Sequence, residues 1–334
     1  MKVIVHDSLD EKIVFLYNDI LNKAKKSAND EFYTPYDSIE KEVPLYSKFL
    51  KDKIIYCNCD DILKSEFIYY FILNFNRFNL KKFIATGLSG YKLEVSSVSP
   101  DITKSQISSI LKSKKSTNSF SISKLSKDDD KPIGDYSSTE CLELLKECDI
   151  IITNPPFSLF RDYINTLFKF KKKFLIVGSN MAGTYLNVIP HIMDSSLRVG
   201  YNHMRYFVDK SSNSKKEVRC WWYTNLNKPY PNPILLSHSY NKKDYPKYEN
   251  YNAINVNSYT QIPKDYYGVM GVPVSFIEYF NPKQFKILGI AGRGVGSNYA
   301  TKFFKSNPSL NSSAVIKKGN KFILKFCRIL IQQV

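Results

Sequence analysis

Asn154, Pro155, Pro156 and Phe157 are the residues of this sequence whose types and order are best suited to chemistry. They directly follow residues 149–153, an acid-tipped, Ile-rich run that is typical of a buried strand in a parallel sheet. The two prolines prevent the strand from extending further. Because ligands of open α/β sheets bind beyond the carboxyl ends of such strands, we expect a substrate here.

The chemistry that these residues suit is methylation of an amine. The Asn154 side-chain oxygen and the Pro155 carbonyl would accept the two amino hydrogens of a planar substrate, and Phe157 would stack on its ring. A methyl group on a sulfonium is already electrophilic, so orienting the amine is the main task, and such positioning lowers a barrier by about 7–11 kcal/mol. A proline-rich turn with a buried Asn cap would also account for the sequence of these four residues. The methylation interpretation therefore needs support from the rest of the chain.

The composition favours a polyanionic partner. The chain has 334 residues, 43% of them hydrophobic, which is enough for one large α/β domain or two smaller ones. Its net charge of +17 indicates nucleic acid first and an anionic membrane surface second. A Lys-rich solubilising surface would give the same charge without any binding role.

The cysteines and histidines do not predict a metal site or a disulfide framework. The six cysteines include no Cys-x-x-Cys pair, and the four histidines are scattered. We therefore expect reduced thiols in a cytoplasmic protein without a metal. No apolar run approaches the length of a membrane span and no signal peptide is evident, so no membrane association is expected.

Alternating strands and helices predict an α/β fold with a doubly wound, mostly parallel sheet. Apolar periodicity predicts helices at 11–27, 37–50, 62–79, 139–147 and 158–171, and strands at 53–57, 82–86, 149–153 and 174–178.

Two composition changes divide the chain. Residues 95–131 are rich in Ser and Lys, and we expect an exposed, mobile insertion there. After about residue 200, short apolar stretches alternate with Asn-, Pro- and Tyr-rich connections. We therefore predict two parts, residues 1–200 with the alternating strands and helices and a mixed, loop-rich part over 201–334 that completes the sheet.

Several long blocks in the same order resemble the EcoRI-type adenine-specific DNA methyltransferases, the modification enzymes of type II restriction systems. The resemblance extends over about residues 20–290. Its blocks are residues 24–34, 56–61, 153–161, 245–255 and 267–273.

This resemblance implies a Rossmann-like fold and transfer of methyl from S-adenosyl-L-methionine to the exocyclic N6 amine of adenine in double-stranded DNA by base flipping. It makes Asn154, Pro155, Pro156 and Phe157 the catalytic loop. Residues 1–200 are then the catalytic core and residues 201–334 the target-recognition and sheet-completing region, in which Trp222 is a candidate to stack on the flipped base opposite Phe157. It also implies a cognate restriction endonuclease that acts on the same site. We expect a monomer, because methylating one strand at a time requires no symmetric partner.

The resemblance also implies a set of cofactor-binding residues. The residues in positions that resemble the family's cofactor contacts are Tyr33, Thr34, Asn58, Asp60, Asp61 and Asp135. The loop at 57–61 differs from most methyltransferases because it contains no glycine. Either of the two neighbouring aspartates could bind the methionyl ammonium, or could cap a helix. No acidic residue near Thr86 is available for the ribose.

Two other functions use the same features. An amino-methyltransferase acting on RNA adenine or on a protein glutamine would need the same catalytic loop. A non-catalytic, basic DNA-binding protein could keep a methyltransferase fold. Comparing the incorporation of labelled methyl into plasmid, RNA and protein distinguishes the first alternative from a DNA methyltransferase. Measurable cofactor binding would exclude the second in its simplest form.

Overall fold

The computed structural model describes residues 4–5, 33–128, 130–209, 214–292 and 296–334. The helix predicted at 11–27 lies outside the described residues.

The helices are α1 (Tyr36–Glu42), α2 (Ser47–Leu50), α3 (Glu66–Leu73), α4 (Lys104–Ser113), α5 (Thr139–Glu147), α6 (Phe160–Lys169) and α7 (Ile189–Met193). The strands are β1 (Ile4–Val5), β2 (Ile54–Cys57), β3 (Lys82–Thr86), β4 (Tyr91–Val95), β5 (Phe120–Lys124), β6 (Ile150–Thr153), β7 (Lys173–Ser179), β8 (Arg198–Asp209), β9 (Ser214–Thr224), β10 (Ile254–Asn255), β11 (Met270–Pro273), β12 (Phe285–Ala291), β13 (Val315–Lys318), β14 (Lys321–Leu324) and β15 (Arg328–Gln333).

The chain divides into two units. One consists of Ala24–Ser179 and Arg198–Asn227, and the other of Met1–Lys23, Asn180–Leu197 and Lys228–Val334. All residues predicted to bind cofactor or substrate fall in the first, which we call the catalytic-loop unit. The functional division at residue 200 stays a prediction.

An eight-stranded sheet forms the centre of the catalytic-loop unit. Its strand order is β5-β4-β3-β2-β6-β7-β9-β8. The four central strands pair in parallel, as predicted, at β3–β2, β2–β6 and β6–β7. The flanking strands pair antiparallel on both sides, so the sheet is mixed rather than mostly parallel.

Successive side chains of the central strands point to opposite faces of the sheet, and both faces are buried. One face shares a hydrophobic cluster with helices α1 to α4, and it includes Ile55, Cys57, Phe83, Ala85, Ile150, Ile152, Leu175 and Val177. On the other face, the Cys141 thiol of α5 donates to the Thr86 hydroxyl over 3.7 Å. Phe168 of α6 contacts Phe174 edge-on there, with ring centroids 5.6 Å apart.

Two predicted helices are shorter than the apolar pattern suggested. The helix predicted at 37–50 is interrupted after α1 by a 3₁₀ turn at Val43–Tyr46, where Pro44 lacks the N–H that an α-helix requires. Helix α3 begins only at Glu66, because the Ser65 side chain accepts the Phe67 N–H and caps it.

The segment 95–131 contains regular structure that its composition did not indicate. Thr103 and Gln106 form a capping box that starts α4, and β5 pairs with β4 to extend the sheet. Ile107 and Leu111 of α4 are fully buried. Two apolar residues at helical spacing therefore pack this Ser/Lys-rich segment against the core. The mobility expected for it stays a prediction.

The second unit contains two small sheets. Strands β10-β11-β15-β12 form one, and β1-β14-β13 form the other. Buried tyrosines join their connections: the Tyr248 hydroxyl donates to the Asn255 side-chain oxygen at 3.0 Å, and the Gly292 N–H donates to the Tyr251 hydroxyl at 2.7 Å.

Replacing Gly134 with Ala should destabilise the catalytic-loop unit much more than replacing Gly90 with Ala. Both glycines have left-handed φ, at +81° and +76°. A Cβ at Gly134 would lie 2.0 Å from the Gly87 carbonyl oxygen, whereas the closest atom to one at Gly90 is the Ile133 methyl at 3.2 Å. We expect a loss of about 1–2 kcal/mol at Gly90 and roughly 2 kcal/mol more at Gly134, measured by urea unfolding. Equal losses would contradict this packing of the two loops.

Candidate functional site

The predicted catalytic loop begins where strand β6 ends. Thr153, the last strand residue, is fully buried, and Asn154 is half-buried. Pro155 is buried, Pro156 is exposed, and a 3₁₀ turn at Phe157–Leu159 follows. The loop therefore leaves the core at the carboxyl edge of the parallel strands, the position expected for a ligand site.

Phe157 lies at the border of the core. Its ring is half-buried and contacts the ring of Phe207 in β8, with centroids 5.6 Å apart and planes tilted by 52°. Phe207 is fully buried. One side of Phe157 is thus supported by another aromatic ring while part of its surface stays accessible.

Trp222 does not lie where the sequence analysis placed it. Its side chain is fully buried in the core and meets Phe67 edge-on, with ring centroids 6.0 Å apart. The register of β9 pairs Trp222 with Val177, and both face the main hydrophobic cluster. A stacking role for Trp222 opposite Phe157 is therefore not supported in this conformation. Two adjacent tryptophans in a strand point to opposite faces, and only the register decides which face each one takes.

Asn58 is held at the end of β2 by a tyrosine from α6. The Tyr163 hydroxyl donates to the Asn58 side-chain oxygen at 2.6 Å. Asn58 is 1% exposed, and among the described residues its side-chain NH₂ has no hydrogen-bond partner. A buried donor without a partner is costly, so it marks a place where a polar ligand atom would be favourable.

Asp60 connects three strand ends. Its carboxylate accepts hydrogen bonds from the Ser65 hydroxyl at 2.6 Å and from the Thr153 hydroxyl. Its backbone N–H donates to the Thr86 carbonyl, at the end of β3. Asp61, by contrast, is half-buried and accepts the Leu63 N–H at 2.8 Å. Neither aspartate caps helix α3.

Burial dominates the electrostatics of Asp60. It raises the pKa of this carboxyl to about 6, although the hydrogen bonds from Ser65 and Thr153 act in the opposite direction and the charge of Asp61 adds to the rise. At neutral pH the carboxylate is therefore ionised at an energetic cost.

Asp135 follows Gly134, a glycine that packs against the backbone at the same edge of the sheet. Its carboxylate accepts the backbone N–H and the hydroxyl of Ser137, at 2.8 Å and 2.6 Å. The preceding Gly134 lies against Gly87, and a Cβ at Gly87 would lie 2.8 Å from the Asp60 carbonyl oxygen. The glycines that let these backbone segments approach each other closely are therefore Gly87, after β3, and Gly134, before α5. The sequence analysis missed them because it expected glycine in the loop after β2.

Tyr33 and Thr34 lie beside strand β8. Tyr33 exchanges backbone hydrogen bonds with Val208, the neighbour of Phe207, at 3.3 Å and 3.1 Å. The Thr34 hydroxyl is buried and, within the described part of the chain, has no hydrogen-bond partner. Thr34 and Asn58 therefore each present an unsatisfied buried polar atom, which fits the polar groups of a cofactor such as S-adenosyl-L-methionine.

The described ranges contain neither a metal-binding cluster nor a membrane-spanning helix. No group of three or more His, Cys, Asp or Glu side chains there could hold a metal ion. No helix there is both long and apolar enough to cross a membrane.

Comparison with known proteins connects this geometry with a family. The family described as "Adenine-specific methyltransferase EcoRI" matches residues 20–334. The chain is 35% identical over 320 residues to the type II methyltransferase M.EcoRI of Escherichia coli, covering 86% of this chain and 95% of the relative. The chain belongs to the EcoRI adenine-specific methyltransferase family.

Two mycoplasma relatives agree with this assignment. The type II methyltransferase M.MgeORF184P of Mycoplasma genitalium is 37% identical over 289 residues, covering 80% of this chain and 84% of the relative. The type II methyltransferase M.MpnI of Mycoplasma pneumoniae is 30% identical over 337 residues, covering 93% and 97%. No solved structure gives a significant match. The predicted family and the predicted class of enzyme, an adenine-specific DNA methyltransferase, are confirmed.

Replacing Asp60 with Asn should change how the stability of this methyltransferase depends on pH. The folded protein holds the Asp60 proton up to about pH 6, whereas the unfolded chain releases it near pH 4. Wild-type stability should therefore fall as pH rises from 4 to 6, by about 2–3 kcal/mol relative to Asp60→Asn. Urea unfolding of both proteins at pH 4, 5, 6 and 7.5 measures this. A difference that stays constant over the series would contradict the burial of an ionisable group at this position.

Proposed function

We propose that this protein transfers a methyl group from S-adenosyl-L-methionine to the N6 amine of adenine in double-stranded DNA, as the modification enzyme of a restriction-modification system in the cytoplasm. The observation that carries the proposal is the Asn154–Phe157 loop, which follows the carboxyl end of a central parallel strand, β6, in a member of an adenine-specific methyltransferase family. The type II names of the relatives support a cognate restriction endonuclease as the functional partner.

The net charge of +17 supports DNA as the partner. Lys and Arg contacts to phosphates give an attraction that depends on salt and not on sequence. The target adenine cannot be reached within the base stack, so we propose that it is flipped out, at a cost of a few kcal/mol. One strand is then modified at a time, which a monomer can do.

The catalytic loop would bind the flipped base by its amine. The Asn154 side-chain oxygen and the Pro155 carbonyl accept the two amino hydrogens, which localises the nitrogen lone pair for attack. Phe157 stacks on the base, and the ring of Phe207 behind it keeps it in place. Pro156 fixes the backbone between these groups because its ring restricts φ. A strong general base is unnecessary, because the amine proton becomes acidic as the methyl is transferred.

S-Adenosyl-L-methionine supplies the electrophilic methyl when it is bound. The residues that would hold it are Tyr33, Thr34, Asn58, Asp60, Asp61 and Asp135. Thr34 and Asn58 would satisfy their buried polar atoms with the cofactor, and the more accessible Asp61 is the better placed of the two aspartates for an ammonium group. With the cofactor bound, these two buried polar atoms would have hydrogen-bond partners.

Replacing Asn154 with Ala should lower methyl transfer to DNA by at least about 100-fold, because one of two acceptors for the amine is lost. Cofactor affinity, measured by calorimetry, should stay within about twofold. Ser158→Ala, in the same turn but exposed, is the control that should retain activity.

The assay measures labelled methyl incorporation into plasmid DNA, total RNA and protein in parallel. Incorporation into RNA or protein instead of DNA would refute the proposed substrate. Near wild-type transfer by Asn154→Ala would refute the proposed mechanism.

Replacing Thr34 with Val should have opposite effects on the free protein and on cofactor binding. The change removes a buried hydroxyl without a described partner, so the free protein should gain about 1 kcal/mol of stability. The affinity for S-adenosyl-L-methionine should fall about 5- to 10-fold, because the cofactor loses a hydrogen bond. Thr166→Val removes the hydroxyl of a half-buried threonine of α6, which donates to the Asp162 carbonyl, and should leave the cofactor affinity unchanged. A Thr34→Val protein with unchanged cofactor affinity would exclude this hydroxyl from the cofactor site.

A further inference from the structure

Asp60 has a structural connection to the catalytic loop that a cofactor contact alone would not require. One carboxylate oxygen accepts the hydroxyl of Thr153, the residue immediately before Asn154. The other accepts the hydroxyl of Ser65, the cap of helix α3. Asp60 is 4% exposed, so both bonds are shielded from water.

We propose that Asp60 is a positioning residue, which acts through the Thr153 hydroxyl to fix the orientation of Asn154 during methyl transfer. This inference rests on the proposed function, and it assigns Asp60 a role in the rate of transfer that is separate from any contact with the cofactor.

The stereochemistry of Thr153 explains how a hydrogen bond to its side chain can control the next residue. The β-branched side chain of threonine is restricted at χ1, so a hydrogen bond that fixes its hydroxyl also limits how far the backbone of Thr153 can move. The following peptide bond is planar, which transmits that restriction to the nitrogen of Asn154. Because an ionised acceptor makes shorter and stronger hydrogen bonds than a neutral one, a carboxylate fixes the hydroxyl more firmly than an amide would.

The energetics support a functional rather than a purely structural role. Burial disfavours the ionised form of Asp60, as its raised pKa shows, and the ionisable groups around it give no compensation. Those that interact with it are Cys57 and Cys59 near the end of β2, Asp61, and Tyr163 of α6, none of which is a cation. The cap of α3 does not require this charge, because the Ser65 hydroxyl itself accepts the Phe67 N–H. A buried charge that weakens the fold is thus retained where it contacts the residue before the catalytic loop.

Thr153→Val, Thr153→Ser and Ser65→Ala test this proposal in the full-length protein. Valine has the shape of threonine without the hydroxyl, and serine keeps the hydroxyl. Ser65→Ala is the matched control. It removes the hydrogen bond to the other oxygen of the same carboxylate, but Ser65 lies at the start of helix α3 and not beside the catalytic loop. For each protein, we would measure the single-turnover rate of methyl transfer to plasmid DNA, the dissociation constant for S-adenosyl-L-methionine, and the urea midpoint.

A positioning role predicts a rate effect without an affinity effect. Thr153→Val should lower the single-turnover rate about 10- to 100-fold with the cofactor dissociation constant within about threefold of wild type, because small misplacements of a catalytic group have effects of this size. Thr153→Ser should restore at least about a third of the wild-type rate. Ser65→Ala should lower the urea midpoint at least as much as Thr153→Val and keep the rate within about threefold.

Two outcomes would overturn the inference. Either Thr153→Val retains the wild-type rate, or Ser65→Ala loses as much rate as Thr153→Val, which would show a general effect of stability. Both differ from failure of the proposed function, in which the wild-type protein itself would transfer no methyl to DNA.

Discussion

The end of strand β6 is the constraint on which the rest of this site depends. Pro155 and Pro156 have no N–H to donate, so the parallel ladder must stop after Thr153. Parallel strands end at a common edge, and the ends of β2 and β3 therefore lie beside this point. Asp60, which follows β2, accepts a hydrogen bond there from Thr153, the last residue of β6, although the two are 93 positions apart in the sequence.

Polar groups at this edge are expensive to bury, and only some of them have partners among the described residues. Asp60 has hydroxyl donors for both carboxylate oxygens, which offsets part of the cost of burying its charge. Asn58 and Thr34 retain polar atoms that no described residue satisfies. In the proposed cofactor site, some polar groups are fixed by the protein and others are left for the ligand, so binding would add hydrogen bonds without rearranging the scaffold.

Sequence patterns predicted the central elements well and the flanking ones poorly. Runs such as Ile150–Thr153 and Lys82–Thr86 are buried on both faces, so their apolar character alone identifies them as strands. Strands β4 and β5 are rich in polar residues because they lie toward the edge, and their nearest mutual pair, Val95 and Phe120, is 25 positions apart in the sequence. The stacking role predicted for Trp222 is unsupported for a related reason, since the register of β9 turns it into the core.

The sequence by itself determined the family and with it the class of enzyme, through long blocks that occur in the same order. The order Asn-Pro-Pro-Phe after a buried strand predicted two acceptors and a ring, and these blocks gave that prediction its support. Only the tertiary structure decided which residues support the polar groups at this edge: Tyr163 at Asn58, Thr153 at Asp60, and Gly134 against Gly87. These partners are far apart along the chain, and a hydrogen bond or a steric contact depends on distances in space that residue order alone does not contain.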